Sequence, residues 1–139
     1  MPTRVLFLCT NNSARSQMAE GLLRHAGRGQ VEVCSAGSAP RPQLHPMAVQ
    51  VASEHGINIR NQVPRDLKAY VGQPFDYVIT LCEREREVCP AFPGAEMIHW
   101  SFPDPAAVVD EQVRLKTFRE VFQGLKQRID LLMAVERKR

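Results

Sequence analysis

The chain has 139 residues, 44% hydrophobic and 24% charged, a size that fits one globular domain with a single core. No stretch approaches the ~20 apolar residues of a membrane span, and polar residues interrupt the N-terminus too early for a secretory signal, so the expected place is the cytoplasm with no membrane partner. The formal net charge of +3 is small and the basic residues are scattered, apart from the closing Arg137-Lys138-Arg139, which argues against a nucleic-acid partner.

Residues 4–8 (Arg-Val-Leu-Phe-Leu) form an apolar run that stops at a polar loop, the pattern of a buried parallel strand. From Ala14 to Ala26 the apolar positions Met18, Ala19, Leu22, Leu23 and Ala26 recur at helical spacing, with Gly27 placed to end the helix. Val31 to Ser35 reads as a second strand, stopped at Gly37 and a proline-bearing loop. A helix follows from His45 to His55, with Pro46 tolerated in its first turn and Gly56 at its end. Asp66 is a candidate cap for a short helix through Tyr70. Phe75 to Leu81 reads as a third strand and Glu96 to Trp100 as a fourth. The segment from Val108 to Glu136 carries Val109, Val113, Phe118, Val121, Phe122, Leu125, Ile129, Leu132 and Met133 in one helical stripe. Strands alternating with helices predict an α/β fold: one domain, a four-stranded parallel sheet and helices on both faces. Ligands of such sheets bind at the carboxyl ends of the strands, where residues 8–16, 82–90 and 101–107 should gather.

Cys9-Thr10-Asn11-Asn12-Ser13-Ala14-Arg15-Ser16 lies between the first strand and the first helix. That position gathers backbone N–H groups and a helix N-terminus around one point, which suits a tetrahedral oxyanion. The same field lowers a thiol's pKa and makes Cys9 a candidate nucleophile. Arg15 can fold back as a planar fork over two oxyanion oxygens, and Ser16 can hydrogen-bond the Cys9 sulfur. Alone, Cys9 reads first as a small buried residue at a strand end and Arg15 as a solvated helix residue; a C-x5-R-S run between a hydrophobic strand and an amphipathic helix is far more specific.

This loop, its N-terminal position and the distant Asp104-Pro105 resemble the low-molecular-weight phosphotyrosine phosphatase fold. The resemblance implies that Asp104 is a proton donor, a role worth about 10²–10⁴ in rate; by itself Asp104 also reads as a loop cap before proline. Three features depart from the phosphatase pattern. The loop lacks the usual glycine and second cysteine, Ser16 is followed by Gln17 rather than proline, and Ala106-Ala107 stand where an aromatic pair would flank an aryl phosphate. Instead the chain carries Thr80-Leu81-Cys82 through Val88-Cys89-Pro90 and His99-Trp100-Ser101-Phe102-Pro103-Asp104. With Asn11 to Glu20 and Ser35-Ala36-Gly37, these runs resemble the thioredoxin-coupled arsenate reductases of the same fold. That family implies that Cys9 attacks arsenic, Cys82 attacks Cys9 and releases arsenite, and Cys89 attacks Cys82, leaving a disulfide for thioredoxin. Arsenate is then the substrate, with phosphate and sulfate as competing anions. Read from spacing alone, Cys82 and Cys89 are two unrelated thiols, a redox pair or, less suitably, zinc ligands; Cys34 is assigned to packing in a strand.

Geometry adds a constraint. If 83–89 is helical in the reduced protein, seven residues at ~1.5 Å each separate Cys82 from Cys89 by about 10 Å, whereas a disulfide needs Cα atoms within about 4.4–6.8 Å. The segment must therefore rearrange, which its charged Glu83-Arg84-Glu85-Arg86-Glu87 run makes cheap. The reductase resemblance also implies a potassium ion at Asn12, Glu20, Ser35 and Asp66, positions that otherwise read as caps or loop hydrogen bonds. Two other functions fit part of the pattern: a protein-tyrosine phosphatase, which leaves the extra cysteines without purpose, and a non-catalytic oxyanion-binding thiol module.

Overall fold

The computed structural model describes residues 2–82 and 92–138. The expected rearrangement of 83–89 and the position of Cys89 lie outside the described residues. Four parallel strands, β1 (Thr3–Cys9), β2 (Val31–Gly37), β3 (Tyr77–Thr80) and β4 (Glu96–His99), form one sheet in the order β2-β1-β3-β4. The chain leaves β1 to one side for β2 and then returns to its other side for β3. The carboxyl end of β1 is thus the switch point at which open α/β sheets hold ligands.

Three α-helices, α1 (Arg15–Gly27), α2 (Pro46–Glu54) and α3 (Glu111–Arg137), pack over one face of the sheet around Phe7, Met18, Leu23, Val51, Ile79, Phe118, Phe122 and Leu125, all fully buried. The helical element described on the other face is one 3-10 turn, Leu67–Ala69, whose Leu67 joins Leu6, Leu8, Phe75, Val78 and Phe92 in a second cluster. The alternation of sides along β1 places Val5 and Phe7 in the first cluster and Leu6 and Leu8 in the second, as a strand buried on both faces requires.

Element ends moved from the sequence reading for identifiable reasons. Gly27 lies inside α1, and Arg28 takes the left-handed turn at φ 47. Asp66 caps the Leu67–Ala69 turn as expected, its Oδ1 accepting from Lys68 N at 2.9 Å. The last helix starts later, because Asp110 Oδ1 accepts from Val113 N at 2.9 Å and fixes the N-cap. Val109 is left 90% exposed and Val113 is exposed too, so the buried stripe begins at Phe118. Among the described residues a further 3-10 turn, Pro105–Ala107, precedes α3, where the sequence pattern gives no sign of it. Among the described residues no helix is long and apolar enough to cross a membrane.

Candidate active site

β1 delivers Cys9 to the switch point, buried at 6% exposure, and α1 begins at Arg15 without any side-chain cap. Between them the loop carbonyls are held outward by residues 39–45. Thr10 O accepts from Ala39 N, Asn11 O from Arg41 N and Ser13 O from His45 N, each at 2.9 Å. In a planar trans peptide the N–H points opposite to the carbonyl of the preceding residue. Tying these three carbonyls to the strap therefore turns the N–H groups of Asn11, Asn12 and Ala14 toward the inside of the loop. Gly37 permits the close approach: a Cβ there would lie 2.4 Å from Thr10 O and 2.7 Å from Cys9 O.

Asn12 sits at the turn of the loop with φ 48, a left-handed geometry that asparagine tolerates better than most residues. Its side chain is wholly buried. Nδ2 donates to Ser16 Oγ (2.7 Å) and Ser35 Oγ (3.0 Å), while Oδ1 accepts from Arg65 N (2.8 Å) and Gln17 Nε2 (3.1 Å). Ser16, expected on the Cys9 sulfur, is instead paired with Asn12. Gln17 went unassigned in the sequence, yet its buried amide also donates to Asn12 O at 3.0 Å and Val63 O at 3.1 Å. The only trace of its role in the sequence was a glutamine at the position where phosphatases carry proline.

Cys82, at the end of β3, is brought onto the same loop. Its Sγ accepts from Thr10 N at 3.2 Å and lies 3.4 Å from Thr10 Oγ1. Cys9 and Cys82 act on each other's ionisation, so the two sulfurs titrate as a pair. Within that pair Cys82 is pulled down to about 5, first by Cys9 and then by the Thr10 hydroxyl, against the effect of burial. Cys9 is correspondingly pushed up, first by Cys82 and then by burial, with Arg15 opposing. The loop's field therefore acts on two thiols, Cys9 and Cys82, and not on Cys9 alone.

Arg15 is nearly buried; its Nη1 donates to Phe102 O at 2.9 Å and its Nη2 stands 3.9 Å from Asp104 Oδ2. Asp104 Oδ1 accepts from Ala106 N at 3.0 Å, so the carboxylate both caps the Pro105–Ala107 turn and faces Arg15. A groove of about 710 Å³ runs beside the loop past Asn11, Ser13, Arg41, His45, Asp104 and Ala106. Its described lining contains no Phe, Tyr or Trp, consistent with the missing wall for an aryl group. His45 caps α2 through Nδ1, which accepts from Met47 N, and its ring stacks on Phe118 with centroids 4.7 Å apart. Burial and Arg114 lower its pKa, against Asp104. Cys34 is half-buried in the second cluster, as assigned.

The residues expected to hold a potassium ion are engaged with one another and with the protein's own donors. Asn12, Ser35 and Glu20 do converge, but Ser35 Oγ donates to Glu20 Oε1 (2.6 Å), and Glu20 Oε2 is paired with Arg24 Nη2 (2.5 Å). Asn12 Oδ1 already accepts two hydrogen bonds, and Asp66 Oδ1 is occupied as a cap. The Glu20 carboxylate, Asn12 Oδ1 and one oxygen of Asp66 thus already have partners within the protein. Among the described residues no group of three or more His, Cys, Asp or Glu side chains could hold a metal.

This combination of a Cys-loop-Arg cradle at the switch point of a β2-β1-β3-β4 sheet is shared with known proteins. Residues 4–139 match the low molecular weight phosphotyrosine protein phosphatase family, and the chain belongs to it. Within that range it is 39% identical over 127 residues to an arsenate reductase of Halalkalibacterium halodurans, covering 90% of this chain and 91% of that protein. A solved arsenate reductase in the phosphate binding state superposes with a TM-score of 0.83 at 32% identity, covering 95% of this chain and 97% of the other. The thioredoxin-dependent arsenate reductase of Corynebacterium glutamicum gives 0.79 at 33% identity, covering 99% of this chain and 64% of the other.

Proposed function

We propose that the chain reduces arsenate to arsenite with Cys9 as the first nucleophile and Cys82 as the second. The observation that carries this reading is the Cys82 sulfur seated on Thr10 beside Cys9. A phosphatase turns over with one thiol, whereas a two-electron reduction needs a second within reach of the first, and here the second comes from beyond β3 and not from the loop itself. Arsenate matches phosphate in shape and charge, so the inward N–H groups and the Arg15 fork bind it, with phosphate and sulfate as competitors.

Cys9 attacks arsenic as its proton passes to the Cys82 thiolate, and an arsenic oxygen leaves as water with a proton from Asp104. Cys82 then gives its acquired proton to solvent and is ionised again for its own step. Its thiolate attacks the Cys9 sulfur, the S–As bond breaks, and the electron pair remains on arsenic, which leaves as arsenite. A Cys9–Cys82 disulfide results. Cys89 then attacks Cys82 and frees Cys9, and thioredoxin reduces the Cys82–Cys89 bridge in the cytoplasm. The similarity to a thioredoxin-dependent reductase supports that choice of partner. The decisive assay is steady arsenate turnover with thioredoxin, thioredoxin reductase and NADPH. Hydrolysis of aryl phosphate without arsenate turnover would make the chain a phosphatase, and anion binding without either would make it a binding module.

A further inference from the structure

Behind the loop, six side chains close a ring. Asn12 Nδ2 donates to Ser35 Oγ (3.0 Å), Ser35 Oγ to Glu20 Oε1 (2.6 Å), and Arg24 Nη2 to Glu20 Oε2 (2.5 Å). Arg24 Nη1 donates to Gln62 Oε1 (2.9 Å), Gln62 Nε2 to Gln17 Oε1 (2.8 Å), and Gln17 Nε2 back to Asn12 Oδ1 (3.1 Å). We propose that Arg24 is a positioning residue of the oxyanion loop, closing from the solvent side a ring whose opposite member is Asn12.

An exposed i,i+4 Glu-Arg pair on a helix normally contributes little. Arg24 differs in where its nitrogens go. Nη1 and Nη2 reach Gln62 in the segment after α2, Glu20 on α1 and, at 3.3 Å, Val33 O on β2. One guanidinium thereby ties together the three segments that grip Asn12, α1 through Ser16 and Gln17, β2 through Ser35 and the segment after α2 through the Arg65 N–H. It also neutralises Glu20, whose side chain is 12% exposed and would otherwise face Ser35 as an unpaired carboxylate. A planar fork makes these contacts at once, which a point ammonium cannot. The ring thus fixes Asn12 in its left-handed turn, and with it the inward direction of the loop N–H groups.

The inference rests on the loop binding an oxyanion, and its test uses sulfate, so it stands or falls separately from the redox chemistry. Sulfate affinity is measured by calorimetry on fully reduced wild type, R24A, R24K and Q62L at constant ionic strength. R24A should bind about three- to tenfold more weakly, the scale of one charge-assisted link acting at one remove. Millimolar guanidinium should restore R24A, a rescue that mere loss of packing would not show. Q62L, which opens the ring while keeping the Glu20–Arg24 pair, and R24K should fall between wild type and R24A. Replacing potassium by choline should leave wild type unchanged, since Arg24 already supplies the cation. Unchanged affinity in both R24A and Q62L overturns the proposal, as does a loss in R24A that guanidinium does not recover or a wild type that depends on potassium. Should R24A not fold, R24K and Q62L decide the matter on the same readout.

Discussion

Gly37→Ala tests whether the outward-tied carbonyls shape the cradle. The added Cβ would lie 2.4 Å from Thr10 O, 2.7 Å from Cys9 O and 3.0 Å from the Thr10 carbonyl carbon, all backbone atoms with no rotamer to turn aside. Relief to ordinary contact needs a displacement of about 1 Å, given carbon contacts near 3.5 Å. Gly37 cannot supply it, because it is pinned on both sides: it pairs with Cys9 in the β1–β2 ladder, and its N–H donates to Arg65 O at 2.9 Å. The shift therefore falls on Cys9 and Thr10, which carry the nucleophile and the N–H that holds Cys82. A misplacement of ~1 Å in such a site costs about 10²-fold in rate, and forcing a methyl into packed backbone costs about 1–3 kcal/mol of stability. The assay pairs chemical denaturation with single-turnover arsenite release and sulfate calorimetry. A folded G37A protein with wild-type sulfate affinity and wild-type arsenite release would refute the argument.

The thiol pair predicts a pH signature: iodoacetamide should label Cys82 with a midpoint near pH 5, the labelled fraction rising with pH as the thiolate forms, while Cys9 stays slow until alkaline pH. Peptide mass spectrometry distinguishes the two, and a Cys82 midpoint at the free-thiol value of about 8.5 would contradict the pairing. Arg15→Lys should weaken sulfate binding about tenfold or more, since an ammonium cannot bridge two oxygens; unchanged binding would mean that Arg15 serves only Phe102 and Asp104. Asp104→Asn should lower any aryl phosphate hydrolysis about 10²-fold with little change in anion binding, and an unaffected rate would leave Asp104 as a cap. Cys89→Ser should release one arsenite per enzyme and stop with Cys9 joined to Cys82, whereas thioredoxin-coupled turnover at the wild-type rate would remove Cys89 from the chemistry.

What could be read in the sequence is what depends on near neighbours. β1, α1 and the Asp66 cap follow from patterns within a few residues, and the Cys9–Arg15 loop from seven contiguous positions. The partners that give the loop its shape come from elsewhere: Ala39, Arg41 and His45 through backbone atoms, which leave no mark on residue type. Gly37 reads as a strand stop because only the approach of Thr10 O reveals why a side chain is barred. Gln17, Arg24 and Gln62 look like ordinary polar residues of a helix and a loop; the amide of Gln17 becomes distinctive only once it is buried against Asn12 from one side and Gln62 from the other. The pairing around the expected potassium position has the same origin. Asn12, Glu20 and Ser35 do converge, but the nearby guanidinium that neutralises Glu20 sits on the next turn of α1, where sequence alone reads it as a surface pair.

Placing the charge on Cys82 has a consequence for the order of events. Thr10 N–H is one of the loop's donors, and in the resting protein it serves the Cys82 sulfur. An arriving oxyanion competes for that donor and carries more charge than a thiolate, so its entry weakens the hold on Cys82 and withdraws part of what keeps that thiol acidic. The hydrogen bond that raises Cys9 loosens in the same movement, while Arg15, which lowers Cys9, is drawn onto the anion. On the proposed function, nucleophile and substrate would therefore be coupled through Cys82, which would take the Cys9 proton as the loop fills and then stand within reach for the second attack.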